Sequence, residues 1–187
     1  GEDDAVLALQ ELRKLRLNRI EVPTRRYVGS HHGRRIDMRR TLQQSIRDGG
    51  NLVELMKKQR RWREPPLVIL CDISGSCSNY SRMFLHFLHT LINDRDRVHV
   101  FLFGTRLTNI TRELRRKDID EAMLKVSAAV KDWSGGTRIA PSLAAFNRQW
   151  SRRVLSQGAV VLLITDGLER EPGNQLGFEM DRLHRSC

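Results

Sequence analysis

The chain has 187 residues, 40% of them hydrophobic and 29% charged, enough for one domain with a sizeable core, or for one domain plus an extension. Its longest wholly apolar stretch, Ala159 to Ile164, falls far short of the ~20 residues a membrane helix needs, so no membrane insertion is expected. The net charge of +11 is unevenly spread: 16 Lys and Arg stand against 9 Asp and Glu through Pro66, and 17 against 13 from Leu67 onward. An excess of that kind favours an acidic protein, nucleic acid or an anionic membrane surface as partner, unless it is simply a solvated face.

Gly1-Glu2-Asp3-Asp4 is acidic and has no apolar run behind it, so no signal peptide is expected, and the chain reads as an excerpt from a longer one. Ala5 to Arg19 then has a loose helical stripe through Val6, Leu9, Leu12 and Leu17. Pro23 and Gly29 punctuate a predicted loop that continues through His31-His32-Gly33. A second helix is predicted from the N-cap Asp37, with Leu42 and Ile46 on one face and Gly49-Gly50 as its stop. Asn51 to Met56 is too short to assign, and the basic run Lys57-Lys58-Gln59-Arg60-Arg61-Trp62-Arg63 follows it. Glu64-Pro65-Pro66 closes this part, because two prolines forbid a helix from running on. Residues 1–66 are therefore expected to be a basic, partly helical extension, and 67–187 the main domain.

From Leu67 the pattern changes. Leu67-Val68-Ile69-Leu70-Cys71 is a continuous apolar run, the signature of a strand buried on both faces, with Cys71 serving as a small apolar residue. Tyr80, Met83, Phe84, Phe87, Leu88, Leu91 and Ile92 form a helical stripe. Val98 to Phe103 predicts a strand and Leu107 to Thr111 a short one; Asp118 to Val130 and Pro141 to Val154 predict helices; Gly158 to Thr165 predicts a third strongly buried strand. Alternation of this kind implies an α/β fold. Right-handed crossovers make it a doubly wound, mostly parallel sheet flanked by helices.

In such a sheet the ligand site lies beyond the carboxyl ends of the strands. Two of the strong strands end in acidic, hydroxyl-rich loops, Asp72-Ile73-Ser74-Gly75-Ser76 and Thr165-Asp166-Gly167. A third loop, Trp133-Ser134-Gly135-Gly136-Thr137-Arg138, adds a hydroxyl beside two glycines. All the candidate donors, Asp72, Ser74, Ser76, Thr137 and Asp166, are oxygens, which suits Mg²⁺, with Mn²⁺ or Ca²⁺ as alternatives, and argues against zinc. Ser74 and Ser76 alone could merely cap a helix starting near Asn79, but two carboxylates converging at neighbouring strand ends would repel without a cation.

These residues resemble the metal-ion-dependent adhesion site (MIDAS) of von Willebrand factor A (VWA) domains. The stretches Ser78 to Arg82, Phe101 to Arg112, Asp132 to Ile139, Phe146 to Val154 and Gly158 to Arg170 resemble more closely the CoxE-like branch of that family. Cys77 stands where that branch often has methionine. The resemblance implies a Rossmann-like fold, ligation by Ser74, Ser76 and in some states Thr137, and bonds from Asp72 and Asp166 directly or through water. It implies an open coordination position filled by an Asp or Glu of a partner, and a MoxR-type AAA+ ATPase as that partner. The pair would act in assembly of a metalloenzyme such as a molybdenum hydroxylase of the carbon monoxide dehydrogenase type. VWA sheets normally have further strands after the Thr165-Asp166-Gly167 loop, so the domain is expected to be incomplete at its C-terminus.

Three cysteines with no CxxC pair favour a reducing compartment, the cytoplasm. His86 and His89 have a metal-capable spacing but fall off the apolar stripe and are expected to be solvent-exposed, while His31-His32 lie in a polar loop and could contact phosphate but are expected to be loop filler. Trp133 and Trp150 are expected to pack, whereas Trp62, among arginines, could stack on a base. Arg138 beside the site, and Arg60, Arg61 and Arg63 in the basic run, are the candidate partner-binding residues. Catalysis is not expected. Ser76 has no nucleophile elbow and no placed base; Ser74 stands where a phosphotransferase would carry a second Asp; Gly135-Gly136-Thr137 lacks the P-loop lysine. The alternative is RNA binding through the basic segment, as the resemblance to Ro-type VWA proteins implies.

Overall fold

The computed structural model describes residues 21–50, 54–73, 81–130, 136–155, 158–165 and 175–187. The helix expected over Ala5 to Arg19, together with Cys77 and Trp133, lies outside the described residues. The chain divides into two units, one of Arg19–Glu64 and one built on Pro65–Cys187.

The first unit is a three-stranded antiparallel sheet of β1 (Val22–Gly29), β2 (Arg35–Ile36) and β3 (Lys57–Arg63), in the order β1-β3-β2, with helix α1 (Met38–Arg47) between the last two. The predicted loop from Pro23 to Gly33 is thus largely a strand, and the basic run is the central strand of a sheet. Pro23 is tolerated because β1 is an edge strand and its register breaks between Pro23 and Tyr27, where a missing N–H costs little. No apolar alternation marks β3, because neither of its faces is deeply buried.

Asp37 caps α1, accepting the Arg40 N–H at 3.3 Å. Thr41 is buried; its hydroxyl donates to the Asp37 carbonyl at 2.9 Å and accepts the Met56 N–H at 3.0 Å, so it ties the approach to β3 onto the helix. Gly33 crosses directly over β3: a Cβ there would lie 2.5 Å from the Lys58 carbonyl, which only glycine avoids. Leu42 and Ile46, on one face of α1, are exposed.

The second unit is a four-stranded sheet of β4 (Leu67–Asp72), β5 (Val98–Phe103), β6 (Leu107–Asn109) and β7 (Val160–Ile164), in the order β6-β5-β4-β7. β4 runs parallel to β5 and β7, and only β6 is antiparallel. The helices are α2 (Ser81–Asp94), α3 (Thr111–Leu114), α4 (Ile119–Ala129), α5 (Ile139–Gln149), α6 (Ser151–Val154) and α7 (Gln175–His184).

Side-chain alternation along β4 builds two cores. Leu67, Ile69 and Cys71 pack with Val98, Val100, Leu102 and the inner faces of α2 and α4. Val68 and Leu70 pack with Phe101, Phe103 and the α5 residues Ile139, Leu143 and Phe146. Helices on both faces explain why β4 is apolar throughout, and the chain winds outward from β4 in both directions, as a doubly wound sheet does. Aromatic contacts help to fill the second core. Phe101 meets Phe146 edge-on at 5.2 Å and Trp150 at 5.3 Å.

Three details depart from expectation. The helix predicted over Pro141 to Val154 starts at Ile139 and breaks at Trp150, with Pro141 in the first turn where its missing N–H is harmless. β7 is half-buried along its length, because it is the edge of the described sheet. Helix α7 was not anticipated. It docks by Leu183 and Leu176 in the second core and by Glu179, whose backbone carbonyl and carboxylate accept the Asn147 amide at 2.9 and 2.7 Å.

His99, on β5, carries a pH consequence. Partial burial, reinforced by Arg115 and Arg97, holds its pKa below 6.5, so the unfolded chain takes up the proton first. The folded unit should therefore lose stability as pH falls below about 6.5, down to the depressed folded value. Urea unfolding at pH 7.5 and 5.5 checks this. His99→Gln should remove part of the acid sensitivity, and an identical pH dependence in both proteins would refute it.

Candidate functional site

The carboxyl ends of β4 and β7 lie side by side. In their parallel register Cys71 faces Ile164, so the next residues, Asp72 and Thr165, are neighbours. Alternation places Asp72 on the same face as Val68 and Leu70, and Thr165 on the same face as Val161 and Leu163, over the core covered by α5. The connection into α5 supplies the third group. Gly136 adopts φ 80°, a left-handed conformation suited to glycine, immediately before Thr137. The Arg138 N–H donates to the Gly104 carbonyl at 3.0 Å and so fixes this segment to the loop after β5.

The result is a buried oxygen cluster. Asp72 is 1% exposed and Thr137 3%. The Thr137 hydroxyl lies 3.0 Å from both Asp72 carboxylate oxygens, and the Thr165 hydroxyl donates to Oδ2 at 3.2 Å. A carboxylate so withdrawn from water needs strong compensation, which these hydroxyls begin to supply. The donor set is carboxylate and hydroxyl oxygen, the chemistry of a Mg²⁺-, Mn²⁺- or Ca²⁺-class ion, so the residues fit such a cation.

Of the five expected ligands, Asp72 and Thr137 are thus in contact, across 65 positions of sequence. Ser74, Ser76 and Asp166 lie outside the described residues. Thr165 was given no role in the sequence reading; its only signal was its place directly after an apolar strand and before Asp166. Arg138 follows Thr137 and is exposed. Arg60, Arg61 and Arg63 lie on β3, whose pleat puts Arg60 on one face and Arg61 and Arg63 on the other.

The other histidine and tryptophan candidates resolve simply. His86 is exposed, and His89 Nε2 lies 2.7 Å from the Arg116 carbonyl, to which the ring donates. Among the described residues no group of three or more His, Cys, Asp or Glu is placed to hold a metal. Trp150 packs on Phe101, and Cys71 is buried in β4. No helix among the described residues is long and apolar enough to cross a membrane.

A doubly wound sheet with an oxygen-lined site at the point where its strand order reverses is the architecture of a VWA domain. Residues 9–187 match the family model for VWA domain containing CoxE-like protein, and the chain belongs to that family. No curated protein matches it by sequence. Two solved structures of proximal thread matrix protein 1 from the mussel byssus are similar at 18% identity, with TM-scores of 0.45 and 0.43. Each similarity covers 65% of this chain and 35% of that protein, so the chain spans about a third of its length. The second of those structures has zinc in its MIDAS motif.

Proposed function

We propose that this protein is a metal-dependent protein-interaction module, not an enzyme, which captures an acidic residue of a partner at the Asp72 site. The observation that carries the reading is the buried Asp72 carboxylate with the Thr137 hydroxyl 3.0 Å from both of its oxygens, at the carboxyl end of the central strand. Asp72, Thr137, Ser74, Ser76 and Asp166 are the residues assigned to hold the ion, Mg²⁺ by preference. A bound divalent cation would supply the positive charge that turns a partner's Asp or Glu into a strongly held ligand. Asp72 and Asp166 contribute two formal negative charges, and the hydroxyls contribute neutral oxygens. Arg138, exposed beside Thr137, steers an incoming carboxylate by its charge.

Membership of the CoxE-like family supports a MoxR-type AAA+ ATPase as the partner. Their client would be a metalloenzyme under assembly, such as a molybdenum hydroxylase of the carbon monoxide dehydrogenase type, in the cytoplasm. The test measures complex formation between the two purified proteins in Mg²⁺, in chelator, and with Thr137→Ala. Affinity should drop about tenfold or more in the last two conditions. Equal affinity in all three would place the interface elsewhere.

A further inference from the structure

The first unit carries eight of the chain's eleven net positive charges: 13 Lys and Arg against 5 Asp and Glu between Arg19 and Glu64. Its sheet sorts them. Lys58, Arg60 and Trp62 alternate along β3 and share one face; Tyr27 stands opposite Arg60, while Gly29 and Arg35 stand opposite Lys58 on either side. The Arg35 guanidinium donates to the Tyr27 hydroxyl at 2.9 Å and lies over its ring at 5.4 Å, with the Lys58 ammonium 5.9 Å from the same ring. Arg40 reaches down from α1 so that its guanidinium occupies the space a Cβ on Gly29 would need.

Three cations, Arg35, Lys58 and Arg60, are therefore gathered around one phenol, and Arg40 lies beside Gly29 of the same sheet. Among the described residues the acid paired with any of them is Asp37, 3.8 Å from Lys58. The Tyr27 hydroxyl feels this directly: a hydrogen bond from Arg60, with the charges of Arg35, Arg60 and Lys58, holds its pKa below the usual 10. Trp62 continues the same face and is 54% exposed.

We infer that this face of the N-terminal sheet binds single-stranded nucleic acid, with Arg35, Arg40, Lys58 and Arg60 on the phosphates and Trp62 stacked on a base. Four gathered cations with one matching acid among the described residues, Asp37, call for a dense anion, and a nucleic acid strand supplies one negative charge per nucleotide. Tyr27 is a positioning residue, since its ring and hydroxyl hold the cations in place and its π-face is already engaged. Trp62 separates this partner from an acidic peptide. An exposed indole beside cations suits a base, whereas carboxylates make no use of it. Gly33 and Thr41 hold the chain before β2 and helix α1 against β3, so the face is built before any ligand arrives.

The experiment uses the whole 187-residue chain and fluorescein-labelled twelve-nucleotide oligouridine, oligothymidine and a polyglutamate of equal charge, followed by anisotropy. Oligonucleotide affinity should fall with salt at a log–log slope of about 2 to 3 for these four cations. Trp62→Ala should weaken binding about tenfold. Arg60→Gln should also weaken it, while Arg61→Gln, on the opposite face, should leave it nearly unchanged. Tighter binding of oligouridine than oligothymidine would identify RNA as the source, and the reverse DNA. Chelator should have no effect, which separates this face from the Asp72 site. The inference is overturned if neither oligonucleotide binds at 50 mM salt, if Arg60→Gln and Arg61→Gln lose equally, or if polyglutamate binds as tightly and Trp62→Ala changes nothing. The last result would mark the face as a dock for an acidic protein. All three variants change exposed side chains, and circular dichroism verifies that each is folded.

Discussion

Asp72→Ala should abolish measurable divalent-ion binding, with a loss of about 100-fold or more, while the protein stays folded. The expectation rests on where the carboxylate sits. It ends a strand whose every residue is buried, and it receives the Thr165 hydroxyl at 3.2 Å and contacts Thr137 at 3.0 Å. Removing it deletes both a formal charge and the anchor for two other oxygens. Groups that merely orient ligands typically cost 10- to 100-fold in affinity when removed, and a charged donor costs more. Thr165→Val makes the finer distinction: it keeps the shape, loses only the hydroxyl, and should weaken the ion about tenfold. Calorimetric titration with Mg²⁺, Mn²⁺ and Ca²⁺ measures both variants. Undiminished binding by a folded Asp72→Ala protein would remove this residue from the ion site and, with it, the assignment of the whole cluster.

The largest stability effect is expected at Phe146. Its ring is wholly buried, meets Phe101 edge-on, and fills the space between α5 and the sheet beside Val68, Leu70 and Leu143. Truncation to alanine loses the transfer free energy of the ring and leaves a cavity that the rigid sheet cannot close, a combined cost of about 3–5 kcal/mol. For a unit of this size that lowers the thermal midpoint by roughly 12–20 °C. Phe146→Leu retains most of the volume and should recover most of the loss. A midpoint for Phe146→Ala within a degree or two of the natural protein would mean that the second core is far less tightly packed than its contacts indicate.

What could be read in the sequence followed the depth of burial. β4 was legible because helices cover both of its faces, which forces an unbroken apolar run from Leu67 to Cys71. Asp72 was legible because a carboxylate directly after such a run, followed by spaced serines, has few other uses. β3 was not, since water touches both faces and selection for apolar alternation is absent. The Lys57–Arg63 run looked like a solvated stretch, and only pairing with β1 and β2 reveals it as a strand. α7 escaped because three inward positions, Leu176, Glu179 and Leu183, include a carboxylate whose burial depends on Asn147, a residue 32 positions away. Thr165 could not be assigned because its proximity to Asp72 is a matter of strand register, which periodicity leaves undetermined.

The placement of β4 has a consequence for how the Asp72 site breathes. Strands β5 and β7 bond to β4 on either side and all six of its residues are buried, so exposing its amides requires the unit to open almost completely. The backbone carrying Asp72 therefore belongs to the slowest-exchanging part of the protein. Thr165 directly follows β7, a half-buried strand at the edge of the described sheet, and Thr137 follows a glycine in a connecting segment, so both can depart by smaller, cheaper openings. The oxygen cluster thus has one immobile member and two yielding ones. Local fluctuations can admit or release what binds there without disturbing the residue that anchors it.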